Sequence, residues 1–448
     1  MVKEVFPIFL ALLAGTTGFL VSFSFFTPIQ AAFIAVLITM VVLWTNEGLP
    51  LGVVSLIPII IFPFFNILPT NSTTANYSNP IIFLFLGGFL LAIATEKTKL
   101  HQLIATKILS VFPKTPFGII LSLGATSAFL SSMLSNTTAA LLLIPIASFL
   151  TNSQNLQVRF ILAIAYGASI GGIMTPIGTP PNMILLGFLQ KEGLPGIGFI
   201  EWIVLVAPLS ILILIISSYL LSFGIKKKEQ IKELKDNNPL SFEQKRLLIV
   251  LSLLALLLLL NSPIEPYYKG LGLNESGILL GFGLLMFLPK IGFLKWSDTK
   301  KIPYEIIFLF GAGFSIAQAF SSTGLAGEFA LKLHILSSLS PWVLILIMCF
   351  IISFTTNITS NTALISIALP IVYAFGELSS IKIELLLLVT TISASYAFML
   401  PIATPPNAIA MSTGVVKTTT MMKFGFFINI VSILVITLIA ISYWDLML

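Results

Sequence analysis

Pro176-Ile177-Gly178-Thr179-Pro180-Pro181-Asn182 returns 225 residues later as Pro401-Ile402-Ala403-Thr404-Pro405-Pro406-Asn407, with six of seven positions unchanged. Proline has no backbone N–H, clashes with the carbonyl four residues back, and pushes the residue before it out of helical geometry. Two in a row break a helix. Both copies stand inside apolar stretches, about 157–189 and 384–415, long enough to cross a bilayer. Unwound backbone at that depth is tolerated where it lines a cavity or binds an ion.

The same offset aligns two more segments. Phe83-Leu84-Phe85-Leu86-Gly87-Gly88-Phe89 meets Phe308-Leu309-Phe310-Gly311-Ala312-Gly313-Phe314, five identities in seven, and Ser135-Asn136-Thr137 meets Ser360-Asn361-Thr362. Polar and proline-rich clusters repeated at one offset mark a duplication. Each Ser-Asn-Thr interrupts an apolar stretch, 116–150 or 341–376, that is too long for one crossing and too short for two. Such a stretch predicts a re-entrant hairpin with its polar cluster at the tip.

Composition fixes the setting. Of 448 residues, 57% are hydrophobic and 9% charged, and the mean hydropathy is +1.06. Soluble domains carry roughly 25% charged residues, so this chain is read as an integral membrane protein. Runs such as Leu253 to Leu260 lack the alternation of an outer-membrane strand, which leaves an all-α polytopic bundle. Full spans are expected near 5–25, 28–44, 50–66, 80–95, 200–223, 246–262, 273–289, 304–320 and 424–444. The apolar N-terminus is expected to be a retained span and not a signal peptide.

With the two broken helices the count is eleven transmembrane helices plus two re-entrant hairpins. The expected organisation is an N-terminal helix (1–27), a first repeat (28–223, hairpin 116–150, broken helix 157–189), a charged cytoplasmic linker (224–245) and a second repeat (246–448, hairpin 341–376, broken helix 384–415). Five crossings per repeat force the halves into opposite orientation, giving inverted five-helix repeats as in secondary transporters. A cytoplasmic N-terminus and an external C-terminus place 19 of the 23 Lys and Arg inside, leaving Lys191, Lys269, Lys332 and Lys382 outside. The net charge of +6 is thus spent on topology in a cell (inner) membrane and not on nucleic acid.

Ser, Asn and Thr are preferred N-caps, and the free N–H groups and dipole of the helix that follows favour an anion. Two such ends suit an anion charged at both ends, such as a dicarboxylate. No Asp, Glu, Lys, Arg or His lies near either motif pair in the sequence, and both histidines, His101 and His334, fall in polar joints outside the expected core. A proton relay normally needs such groups, so coupling is expected to use an ion that hydroxyls, amides and carbonyls can ligate, which favours Na+. The single cysteine, Cys349, excludes a disulfide, and no metalloprotease, hydrolase-elbow or P-loop motif supports an enzyme. An anion channel on the same repeat is the rival from another class.

The paired Ser-Asn-Thr signatures, each followed by Thr-Pro-Pro-Asn, resemble the divalent anion/sodium symporter family of di- and tricarboxylate and sulfate carriers. The resemblance implies a homodimer of eleven-helix protomers, each with a scaffold and a transport domain that moves as an elevator. It implies that Ser135, Asn136, Thr137, Ser360, Asn361 and Thr362 touch the substrate carboxylates, with Thr179, Pro180, Thr404 and Pro405 lining the pocket. It also implies two sodium sites, one of Ser131, Ser135, Asn136 and Gly178, the other of Thr356, Thr359, Asn361 and Ala403. Thr359 stands where the family usually has alanine. Relatives include sodium-independent exchangers, so symport of a C4-type dicarboxylate (succinate, malate or fumarate) is expected with exchange, sulfate or citrate as alternatives.

Overall fold

The computed structural model describes residues 2–46, 48–113, 115–225, 240–263, 267–333 and 338–448. Most of the expected 224–245 linker, Lys114 and His334 lie outside the described residues. The described chain is helical, without a strand. The first half holds α1 (Val2–Ser22), α2 (Pro28–Asn46), α3 (Leu51–Phe64), α4 (Thr70–Ala75), α5 (Pro80–Lys97), α6 (Leu100–Val111), α7 (Pro116–Met133), α8 (Asn136–Leu150), α9 (Gln154–Gly172), α10 (Pro180–Lys191) and α11 (Phe199–Ser222). The second holds α12 (Phe242–Asn261), α13 (Glu275–Leu285), α14 (Tyr304–Ser322), α15 (Leu325–Leu333), α16 (Pro341–Thr355), α17 (Asn361–Gly376), α18 (Ile383–Ser395), α19 (Pro405–Ser412) and α20 (Thr418–Ile439). Seven helices among the described residues are long and apolar enough to cross a bilayer. The protein is an all-α polytopic membrane protein.

The 225-residue offset is visible in where helices start. α6, α7, α8 and α10 begin at Leu100, Pro116, Asn136 and Pro180, and α15, α16, α17 and α19 begin at Leu325, Pro341, Asn361 and Pro405. Proline at the first helical position gives up no hydrogen bond, because that N–H has no intrahelical partner. Both expected hairpins are helix–turn–helix units. Their limbs have 18 and 15 residues in the first, and 15 and 16 in the second. The chain is not α-helical between α9 and α10 or between α18 and α19, and each proline pair opens the second of these helices.

The first limbs of the broken helices are the centre of the molecule. Every residue from Phe160 to Gly172 on α9, and from Leu385 to Ser395 on α18, is buried. An all-round apolar helix belongs in the middle of a bundle. The halves also exchange partners. α3 packs on α14 and α5 on α13, while α10 lies against α17 and α18, and α19 against α8 and α9. Indole donors tie α11 to the end of α9, with Trp202 Nε1 on the Ile173 carbonyl at 2.8 Å, and the chain end to α11, with Trp444 Nε1 on the Leu205 carbonyl at 2.8 Å.

Two expectations need correction. α6 and α15 are short helices where the sequence suggested only polar joints, and His101 on α6 is buried at 2% exposure, its Nδ1 3.1 Å from the Thr95 carbonyl. One turn of apolar residues around His101 is too short to register as a span, yet long enough to cover one side chain. Lys191 is not a free external charge. It ends α10 half-buried, and its ammonium donates to the Phe314 carbonyl (2.9 Å), Asn76 Oδ1 (3.1 Å) and Gln318 Oε1 (3.3 Å).

Candidate substrate and ion site

Ser135 and Ser360 are N-caps of α8 and α17. Each has extended backbone, and each hydroxyl accepts a backbone N–H, from Thr138 at 3.1 Å and from Ala363 at 3.5 Å. Such a cap is worth about 1 kcal/mol, and it leaves the neighbouring N–H groups free for a ligand. Thr179 and Thr404 occupy the same place before α10 and α19, with φ/ψ of −146°/146° and −145°/148°. The residue that ends each break has the same extended backbone.

These four helix starts converge. A cavity of about 1140 Å³ is lined by Ser135-Asn136-Thr137, Gly178-Thr179-Pro180, Thr359-Ser360-Asn361-Thr362 and Ala403-Thr404-Pro405. All ten residues expected at the substrate reach it. Four helix N-termini therefore point their positive ends at one space. The reading that no ionisable group lies near the motifs is overturned by Glu305, in the first turn of α14, which lines the same cavity as an exposed side chain. It stands 55 residues ahead of Ser360 in the chain, so closeness in sequence to the tips and breaks could not reveal it. Sequence reasoning also missed the wall made by Trp44, Thr45, Asn46 and Gly48-Leu49-Pro50-Leu51 at the α2–α3 joint, and the use of Phe85, Gly88 and Phe89 from the repeated Phe-Leu-Phe motif as another. The second had a signal, since that motif recurs at the common offset.

Behind the tips lie two matching oxygen clusters. The Ser131 hydroxyl is 2.5 Å from Asn136 Oδ1 and 2.7 Å from the Ala168 carbonyl, and the Thr356 hydroxyl is 2.6 Å from both Asn361 Oδ1 and the Ala394 carbonyl. Each hydroxyl has one proton to donate and two acceptors within reach. Three oxygens holding a single proton is an arrangement that a hard cation relieves, since such ions prefer oxygen ligands. Ser131 and Thr356 are fully buried and do not line the open cavity. The residues present therefore fit a sodium ion.

The other expected ligands differ in how they stand. Gly172, at the end of α9, is the neighbour of Asn136, for a Cβ there would lie 2.6 Å from Asn136 Oδ1. Gly178 likewise admits no Cβ, because the Gly172 carbonyl occupies its place. Ala403, its counterpart, sits in a short 3₁₀ turn, Pro401–Ala403, where a methyl fits. Thr359 lines the cavity, but its hydroxyl donates back to the Thr355 carbonyl at 2.9 Å and is not turned to an ion.

Comparison with known proteins agrees with this geometry. The family model described as citrate transporter matches residues 40–393. A sodium-dependent dicarboxylate transporter of Staphylococcus saprophyticus, SdcS, is 31% identical over 428 residues, covering 88% of this chain and 82% of the relative. Its namesake in Staphylococcus aureus strain USA300 is 29% identical, covering 96% and 90%. Among solved structures, the YdaH transporter of Alcanivorax borkumensis superposes with a TM-score of 0.57 at 15% identity, covering 82% of this chain and 86% of that one. MtrF of Neisseria gonorrhoeae gives 0.60 at 16%, covering 88% and 85%. At that identity the two structures speak for the fold alone. The chain belongs to the citrate transporter family and is a carrier of the divalent anion/sodium symporter type.

Proposed function

We propose that this protein is a secondary active transporter that moves a C4-type dicarboxylate, such as succinate, malate or fumarate, together with Na+. The observation that carries the reading is the pairing of four helix N-termini around one cavity with two buried three-oxygen clusters behind it. The N-termini attract the carboxylates, and Asn136 and Asn361 join each tip to its cluster. Sodium bound there neutralises part of the substrate charge and holds the tip in its binding shape. The printed name of the Staphylococcus relatives supports both substrate class and ion.

In this reading the halves are inverted repeats with eleven crossings, the N-terminus is cytoplasmic, the C-terminus external, and the protein is a homodimer. Hairpins and broken helices form the moving body of an elevator. The exchange of partners between the halves, α3 with α14 and α5 with α13, supports the pseudo-twofold relation. A tricarboxylate is the second reading, favoured by the description of the matched family and by a cavity of about 1140 Å³, roomier than a C4 acid needs. Radiolabelled succinate uptake into proteoliposomes, with an inward Na+ gradient and without one, tests the proposal. Saturable uptake that internal succinate accelerates is expected of a carrier. Flux that neither saturates nor responds would make the protein a channel.

A further inference from the structure

Breaking a helix frees carbonyls that must be paired again. At the first break Asn182 Nδ2 donates to the carbonyls of Gly172 (3.1 Å) and Thr175 (2.8 Å). At the second, Asn407 Nδ2 donates to those of Ala397 (3.0 Å) and Leu400 (3.1 Å). Donor and both acceptors are related by the same 225 residues, although Gly172 and Ala397, and Thr175 and Leu400, differ in type. Both amides are fully buried, and in both Oδ1 has no hydrogen-bond partner among the described residues. A buried orphan acceptor costs about 1–3 kcal/mol. An amide placed there for packing alone would be a poor choice, and the same choice stands at both breaks.

Ser131 and Thr356 tie the hairpins to the limbs α9 and α18 in matching fashion, but the ties made by the unwound segments themselves do not repeat in kind. In the first half the Thr175 hydroxyl donates to the Ser132 carbonyl, whereas in the second the Met399 N–H donates to Asn357 Oδ1. The amide staple is what the two breaks have in common. We propose, on the reading of two sodium sites given above, that Asn182 and Asn407 are positioning residues of those sites. Each takes up two freed carbonyls with its two N–H groups and so fixes the backbone from α9 to Gly178 and from α18 to Ala403. The stapled Gly172 is the residue against which the Asn136 amide lies, which links the staple directly to the first oxygen cluster. The function of the staple resides in its nitrogen and not in its oxygen.

The substitutions Asn182→Ala, Asn182→Asp, Asn407→Ala and Asn407→Asp separate these roles, since Asp keeps size and oxygen but loses both donors. In the full-length carrier, the Na+ concentration giving half-maximal succinate uptake should rise about 10–100-fold, as for loss of an outer-shell partner. Asp should do as badly as Ala, with maximal uptake at saturating Na+ little changed. The Na+-induced rise in melting temperature of the detergent-purified protein should shift to higher Na+ in parallel. Folded Ala or Asp variants with the wild-type Na+ curve would overturn the proposal. If those variants fail to fold, Asn182→Ser and Asn407→Ser, which keep one donor, should show a smaller shift, and no shift in either would overturn it. A wild-type protein indifferent to Na+ would remove the coupling reading and the proposal with it, whereas shifts absent only in the variants remove the proposal alone.

Discussion

Ser131 and Thr356 differ by a methyl group, yet each hydroxyl lies between an asparagine oxygen and a helix-end carbonyl. That repetition is what the proposed ion sites rest on. Removing one oxygen of three should weaken the ion and leave the scaffold standing. Ser131→Ala is expected to reduce the Na+ dependence of uptake more than it lowers the melting temperature, and equal loss of both would reduce Ser131 to a packing role. Asn136→Ala and Asn361→Ala each delete an amide that in the proposed site would serve a charged group, worth about 1.5–3 kcal/mol. Succinate binding to the purified variants should fall by at least tenfold while they remain folded, and unaltered binding in both would sink the site assignment. Gly172→Ala should act through its neighbour, because its new methyl would lie 2.6 Å from Asn136 Oδ1 and displace it. At this scale the tips and breaks were legible, because Ser, Asn and doubled proline have strong local preferences. Glu305 and the wall from the α2–α3 joint were not, since only tertiary folding brings them in.

At the scale of elements, helix starts were legible to the residue where Pro or an N-cap marks them, as at Pro116, Asn136, Pro180 and their counterparts. Ends and short helices were less so. α3 and α13 have 14 and 11 residues, shorter than a full span, and α15 has nine. Apolar run length cannot separate a short buried helix from a crossing. Lys191 shows the same limit for charge. Counting lysines by loop treats each as solvated, whereas this one ties α10 to α14 and to Asn76 beside it. Lys191→Met removes a donor from three acceptors and should destabilise the protein by about 1–3 kcal/mol, read as a lower melting temperature. An unchanged melting temperature would mean that the tether carries no stability.

For the whole molecule, the duplication was the most legible feature, and it predicts the exchange of partners between halves. Neither half closes its own core: α10 needs α17 and α18, and α19 needs α8 and α9. Orientation in the membrane rests on the lysine distribution and is open to a direct check. Cys349, the chain's own cysteine, is fully buried, so an introduced one should report cleanly. Lys245→Cys should react with an impermeant thiol reagent only from the cytoplasmic face, and Lys269→Cys only from outside. Reversed labelling would invert the topology. Sodium coupling is the central claim, because in the proposed reading the ion would join the oxygen clusters to the substrate cavity. If succinate and Na+ share Asn136 and Asn361, each must strengthen the other's binding by the same factor, commonly about 5–150-fold. The direct measurement is succinate affinity at fixed ionic strength with Na+ replaced stepwise by choline, which holds general screening constant. Affinity should fall by at least about fivefold as Na+ is withdrawn. Equal affinity in choline would contradict the account and leave a sodium-independent dicarboxylate exchanger on the same fold.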